Sequence, residues 1–196
     1  MKKKQKFVDI KGNYFDLYKS KSPIMQKIVN NWFHNTYLGV KKTGCKQILD
    51  AGCGEGHVTN YLYKKHLKIQ GMDFDRKVFE YPKIKFTEGS MYKIPFKDNS
   101  FDVVTSTFVL EHLERPEKAV MECRRVAKKY CVFAVPNEPI WRVANIARLT
   151  YLKDFGNTPG HINHFGKRQL KKMLKKHFRE VTVKRGILTL YAVCKK

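Results

Sequence analysis

Residues 47–59 read QILDAGCGEGHVT, with glycines at 52, 54 and 56 directly behind a short apolar run. Glycine has no β-carbon, so a chain can turn there through dihedrals other residues avoid, and a ligand can lie against bare backbone. QIL reads as a strand and HVTNYLYKK as the helix after it, which makes Asp50 to Gly56 a strand-to-helix turn. The N–H groups opening such a helix lack partners inside it. In open α/β sheets, ligands bind beyond the carboxyl ends of the strands, where the strand order reverses. The turn therefore demands a parallel sheet around it.

The rest of the chain alternates accordingly. KQILDA, LKIQGMDFD, IKFTEG, FDVVTS and YCVFAVP read as five strands, and PEKAVMECRRVAKK (116–129) as a helix with Ala119, Cys123 and Val126 on one side. Strands separated by helical patterns imply crossover connections, a mostly parallel sheet and helices on both faces. Residues 167–178 are helical, and EVTVKRG and ILTLYAVCK, split by Gly186, predict an antiparallel C-terminal hairpin at the sheet edge. The expected fold is α/β with seven strands. Residues 13–38 predict one or two helices around Ser22-Pro23, with Ser22 as a cap and Ile24, Ile28 and Trp32 as an apolar stripe, followed by a basic loop between Gly39 and Gly44. The expected division is an N-terminal helical lid over 1–44 and a main domain over 45–196, with a strand-free insertion at 136–165.

The order of residues in the turn narrows its ligand. A dinucleotide site has G-x-G-x-x-G, usually without an acid inside. Here the order is D-x-G-x-G-x-G, with Glu55 within it. Two carboxylates repel a pyrophosphate and suit a ligand with an amine and a positive centre. No Lys-Ser or Lys-Thr pair follows, so a P-loop is excluded. Asp73, in GMD at 71–73, ends the second strand, where a carboxylate can accept both hydroxyls of a ribose. Asp75 is better placed to cap the next helix.

LDAGCGEG at 49–56, GMD at 71–73, EGSMYKIPFKDNSFDVV at 88–104 and VLEHL at 109–113 together resemble the class I methyltransferases that use S-adenosylmethionine, in the methyltransferase-11-like group. The resemblance is strong over residues 45–135 and looser beyond, and it implies a Rossmann-like sheet. It also implies S-adenosyl-L-methionine as cofactor. Asp50 and the backbone from Gly52 through Cys53 and Gly54 to Gly56 would hold the methionine part, and Asp73 the ribose. Met72 and Phe74 would lie beside the adenine, and Met91 would pack on its ring. Ser90 stands where such families carry an acid near the adenine amine, leaving that contact weaker or to backbone. Phe108 would close the methyl-donor side. Tyr14 or Tyr18, before SKSPI, would either reach the carboxylate end of the donor from the lid or serve as plain aromatic packing of the helix.

A sulfonium methyl is already activated, so the protein must align donor and acceptor and, where needed, accept a proton. No fixed triad is expected. Candidate catalytic bases are His112, His161 and His164, since imidazole titrates near neutrality. Capping, packing or loop architecture are the alternative roles for each. The segment PNEPIWRVANIARLTYLKDFGNTPGHINHFG would build the acceptor side, with Trp141, Phe155 and Phe165 as walls and Asn137, Arg142 and Arg148 as polar handles; GHINHF fits the G-H-x-x-x-F ending of this insertion in the resembling group. His161 and His164 stand three apart without a Glu or Cys at helpful spacing, and no metal is expected. Cys53 has no paired His in the sequence and is not read as a nucleophile.

Charge bears on the partner. The chain has 40 Lys and Arg against 17 Asp and Glu, a formal +23. Residues 1–44 carry ten bases and two acids, residues 167–196 eleven and one, and the middle is nearly balanced. Such ends either attract anions or are solvated lysines that reflect a high-salt cytoplasm or a generally basic proteome. The expected acceptor is a small, anionic metabolite. An RNA-directed methyltransferase or nucleic-acid-binding protein is the less favoured alternative, since no nucleic-acid-binding motif accompanies the charge. A scaffold that keeps the fold without the activity is a third, opposed by the intact Asp50, Gly52, Gly54, Gly56 and Asp73. Five scattered cysteines suit a reduced compartment, and neither a signal peptide nor a membrane span is read, so the expected location is cytoplasmic, as a monomer or weak homodimer.

Overall fold

The computed structural model describes Tyr18 and residues 20–196. Tyr14 lies outside the described residues, as does the rest of the lid before position 18.

Strand β1 (Gln47–Ala51) runs parallel between β2 (Lys68–Asp73) and β4 (Phe101–Thr107). β3 (Phe86–Glu88) extends the sheet beside β2, and β5 (Ala127–Pro136) beside β4, both parallel. β7 (Thr189–Lys195) lies antiparallel between β5 and the edge strand β6 (Glu180–Arg185). The seven strands thus stand in the order β3-β2-β1-β4-β5-β7-β6. The order reverses between β1 and β4, so the loops leaving these two strands diverge and leave an opening at their carboxyl ends.

Alternation along the strands distributes two apolar layers. Ile48, Val103 and Val132 face one side, where α1 (Pro23–Lys41) supplies Val40 and α2 (His57–Tyr63) supplies Val58 and Leu62. Leu49, Val104, Cys131 and Phe133 face the other, against Ala119, Val120 and Cys123 of α3 (Pro116–Val126) and Leu170 and Leu174 of α5 (Lys167–Lys175). Adjacent residues point to opposite faces, and each fully buried Val, Leu, Ile or Phe side chain contributes about 1.5–3 kcal/mol. A third cluster joins Val29 and Trp32 of α1 to Trp141 of α4 (Ile140–Ala147).

Several local expectations shift. The buried stripe of α1 is Met25, Val29, Trp32, Thr36 and Val40, while Ile24 is 72% exposed. Trp32 stays on the stripe, while Met25 and Val29 take the places of Ile24 and Ile28 on it. Ser22 makes no side-chain cap; Pro23 opens the helix by its fixed φ. Gly39 lies inside α1, where an added β-carbon would sit 3.0 Å from Val132; it is a packing glycine and not the start of a loop. α3 stops at Val126, and residues 127–129 already belong to β5, with Ala127 paired to Phe101. α4 and a 3-10 turn at Leu152–Asp154 occupy the insertion, whose first residue, Pro136, is the last of β5. Asp75 accepts from the Lys77 N–H at 2.9 Å and caps a 3-10 turn. Among the described residues, no helix is long and apolar enough to cross a membrane.

Candidate active site

The glycine turn is held from beneath by two carboxylates. Asp50 is 1% exposed, and its oxygens accept from the hydroxyls of Thr59 in α2 at 2.6 Å and Thr105 in β4 at 2.9 Å. Burial pushes its pKa up to about 6, a rise that these two hydroxyl bonds partly oppose. Asp50 thus ties β1, β4 and α2 together under the turn, and both of its oxygens are engaged there.

The titration of Asp50 has a definite sign. An aspartate in the unfolded chain ionises near pH 3.8, and the folded one near 6. Asp50 is neutral in both states below about pH 4. Between about 4 and 6 the unfolded state alone is charged, so stability falls as pH rises, by up to about 3 kcal/mol. We expect Asp50→Asn to remove this part of the pH dependence: its stability relative to the parent should rise by about 2–3 kcal/mol between pH 4 and pH 7.5 in denaturant melts. Parallel pH profiles for the two proteins would refute it.

Asp73 ends β2 and aims at the turn. One oxygen accepts from the Gly54 N–H and the other from the Phe74 N–H, both at 2.7 Å. Burial raises its pKa, opposed by these backbone donors. The N–H groups of Gly52 and Cys53 donate to the Met72 carbonyl at 2.8 and 3.0 Å. This locks the turn to β2. Gly52 has φ 76° and a β-carbon there would lie 2.6 Å from Val109 Cγ2, whereas Gly54, at φ 52°, faces open space with nothing within 4 Å. The turn is therefore tight on its Gly52 side and open at Gly54. An open glycine, a strand-end carboxylate with lone pairs to spare and an aromatic ring beside it, Phe74 at 51% exposed, fit a nucleoside carrying an amino-acid tail.

The other predicted donor-side residues are distributed less evenly. Met72 is fully buried in the main core, and Met91 also packs there; Met72 has no surface for an adenine. The Ser90 hydroxyl accepts from the Tyr92 N–H at 3.2 Å, and the segment that follows is fixed by Arg125, whose guanidinium donates to Asp98, Glu122 and the carbonyls of Ile94 and Phe96. Cys53 is a thiol, since burial and then the charges of Asp50 and Asp73 raise its pKa. Phe108, at φ 58°, leaves β4 with its ring 5.0 Å from that of Trp32. Tyr18 has its ring 4.7 Å from that of His57, the first residue of α2, while Glu55 within the turn accepts from His57 at 2.8 Å.

The opposite wall of the opening is built from two segments distant in sequence. Residues 110–112 form a 3-10 turn after β4. The end of the insertion is sewn to it: the N–H groups of Ile162 and Asn163 donate to the Glu111 carbonyl, and Asn163 Nδ2 donates to the carbonyls of Leu110 and Leu113. The rings of His112 and His161 meet edge to face at 4.8 Å, with Trp141 6.1 Å beyond. Burial, followed by the neighbouring imidazoles, lowers the His161 pKa to about 3, and burial lowers that of His112 as well. Both rings are neutral near pH 7. His164 stands apart, exposed, with Nε2 2.8 Å from Asn157 Oδ1.

Glu111 was not singled out by the sequence. It is 1% exposed with no partner for either carboxyl oxygen, and burial drives its pKa up to about 8. Glu138, also buried with both oxygens unpartnered, adds repulsion. The one available signal was an acid set between the apolar residues of VLEHL.

Comparison with known proteins agrees with this geometry. The methyltransferase domain family matches residues 49–135. A protein named as a probable S-adenosylmethionine-dependent methyltransferase from Mycolicibacterium smegmatis is 33% identical over 95 residues, 46% of this chain and 37% of that one. A demethylmenaquinone methyltransferase from Thermotoga maritima is 28% identical over 127 residues, 59% of this chain and 56% of that one. The chain thus spans about half the length, or less, of these relatives. Among solved structures, a SAM-dependent methyltransferase from Archaeoglobus fulgidus shares the fold at a TM-score of 0.65 and 17% identity, over 88% of this chain and 98% of that one. Residues 49–135 thus match the methyltransferase domain family, and the sheet that holds them has the fold of solved SAM-dependent methyltransferases.

Proposed function

We propose that the protein transfers the methyl group of S-adenosylmethionine to a small molecule at the opening between β1 and β4. The observation that carries this reading is the pairing of Asp73 with the Gly54 N–H beside a glycine that leaves open space. When bound, the cofactor supplies an electrophilic methyl on a sulfonium. Asp73 would accept from its ribose hydroxyls, Phe74 would flank its base, and the backbone at Gly54 would take its amino-acid tail. Ser90 and Met91 would border the base, and Cys53 would contribute backbone only. Asp50 acts through the turn, since Thr59 and Thr105 occupy its oxygens. Tyr18 beside α2 supports a lid over residues 1–44, although α1 itself packs on the sheet.

Phe108, Trp141 and the His112–His161 pair would face the acceptor. His112 is the better base of the two, because an imidazole with a pKa near 3 holds a proton poorly at neutral pH. His161 would orient it, and His164 would meet the acceptor from the exposed rim. A small acceptor with an apolar body and an anionic group fits the exposed Val143, Leu149, Leu152 and Phe155 beside Arg142 and Arg148 of the insertion. The relative named for demethylmenaquinone supports a small-molecule acceptor.

The test is calorimetry with S-adenosylmethionine and S-adenosylhomocysteine, then incubation of methyl-labelled donor with extract of the source organism and mass identification of labelled product. Micromolar binding and one labelled small molecule are expected. Absence of both binding and transfer would reject the proposal, and label found only in RNA would move the acceptor to nucleic acid.

A further inference from the structure

We infer that Glu111, His112 and His161 form a site for a divalent transition cation of the zinc class. One ligand atom from each of the three lies within 4.8 Å of the others. Zinc bonds of about 2.0–2.2 Å place tetrahedral ligands about 3.4 Å apart, so small side-chain rotations close the remaining gap. The sequence conceals the cluster, because His112 and His161 sit nearly fifty positions apart. Backbone bonds from residues 162 and 163 to Glu111, and the Asn163 amide bonds on either side of it, fix the two segments together. The donors are therefore preorganised by the fold.

Unmatched bonding capacity at this spot points to a ligand. Both oxygens of Glu111 and Nδ1 of His161 are buried without a hydrogen-bond partner. Buried polar atoms are rarely left so, and a carboxyl group with two open oxygens is among the costliest to leave. His112 supplies a further sign. Its Nδ1 lies 2.9 Å from the Gly160 carbonyl, which can only accept. Nδ1 therefore carries the proton and Nε2 the lone pair. A ligand imidazole commonly donates its other N–H to a backbone carbonyl in this way.

The donor set decides the class of ion. Two imidazoles and one carboxylate suit zinc and its neighbours in the first transition row, whereas calcium and magnesium prefer oxygen throughout. Three protein ligands leave a tetrahedral ion one open position, the pattern of sites that polarise a bound molecule. An acceptor hydroxyl on that position would lose its proton more readily. His112 would then act as a ligand and not as the base proposed above. The binding of the ion does not depend on the donor site, so the two readings fail separately.

The chelator-stripped full chain is titrated with zinc by calorimetry, and with cobalt(II) by visible absorption. One equivalent of zinc and an intense tetrahedral cobalt spectrum are expected. Glu111→Gln and His161→Ala should each weaken zinc at least 100-fold, while the surface control His34→Ala leaves affinity unchanged. Donor binding by the same stripped protein is measured alongside. Zinc affinity that is the same in the parent and in Glu111→Gln, or no stoichiometric binding at all, would overturn the inference and leave the cluster to a buried water or a protonated acid. Should Glu111→Gln fail to fold, His112→Asn gives the decision: loss of the cobalt spectrum supports the site, and an unchanged spectrum removes it.

Discussion

Asp73→Ala is expected to weaken S-adenosylmethionine binding by about 100-fold or more while the chain stays folded. In the structure this carboxylate takes the Gly54 and Phe74 N–H groups at 2.7 Å each. Charge-assisted hydrogen bonds contribute about 1.5–3 kcal/mol apiece, and loss of a bidentate hold on two ribose hydroxyls corresponds to at least two powers of ten in affinity. Removal also frees the Gly54 N–H, so the turn loses its tie to β2 at its open end. That second effect makes Asp73→Asn informative. An amide keeps one acceptor, so one of the two backbone donors keeps its bond and the structural cost is halved, but the negative charge is gone. A larger loss in Ala than in Asn measures the turn, and the loss common to both measures the ribose contact. Binding within threefold of the parent in both variants, read by calorimetry on protein with unchanged circular dichroism, would remove Asp73 from the site.

The glycine turn and the strands were legible because their signals are local. An apolar run of strand length, glycines and then a helical pattern specify Asp50 to Gly56 whatever packs around them, and the same holds for GMD before Phe74. What failed depended on distant residues. In the stripe of α1, Trp32 lies on the buried face as the sequence predicts, but Met25 and Val29 replace the equally apolar Ile24 and Ile28, a choice made by packing alone. Gly39 reads as a loop signal, yet its reason is Val132 of β5, nearly a hundred positions away. Residues 127–129 continue the helical pattern of α3, but the edge of β4 offers Ala127 a strand partner at Phe101, and tertiary pairing overrides propensity. Glu111 was passed over for a related reason. An acid in an apolar segment is usually solvated, and its burial becomes visible only when residues 160–163 close over it. The three residues of the proposed cation site are likewise hidden from spacing rules, which see ligands on one segment, because they lie on two.

Trp32→Ala is expected to be the most destabilising single change in α1, by about 3–5 kcal/mol. The side chain is 2% exposed. Its ring lies 5.0 Å from Phe108 and 5.7 Å from Trp141, and its Nε1 donates to the Ile187 carbonyl at 2.9 Å in the turn between β6 and β7. One indole therefore joins α1, the end of β4, the insertion and the C-terminal hairpin. Truncation leaves a cavity where these four elements meet, and it leaves the Ile187 carbonyl with only the longer 3.3 Å bond from the Thr189 hydroxyl. In a chain of this length each kcal/mol moves the midpoint by about 2–4 °C, so a fall of roughly 10 °C is expected in thermal melts. Trp32→Phe keeps most of the apolar contact and loses the Ile187 bond, and should cost about 1–2 kcal/mol. The consequence for the site is separable from stability. Phe108 loses its ring partner, so at a temperature where the variant remains folded, acceptor-side function should fall while donor binding, which depends on Asp73 and Gly54, stays near the parent value. A midpoint within 3 °C of the parent would show that the cluster of Trp32, Phe108 and Trp141 does not hold α1 to the insertion, and equal losses of donor affinity and acceptor turnover would show that it does not act on the acceptor side alone.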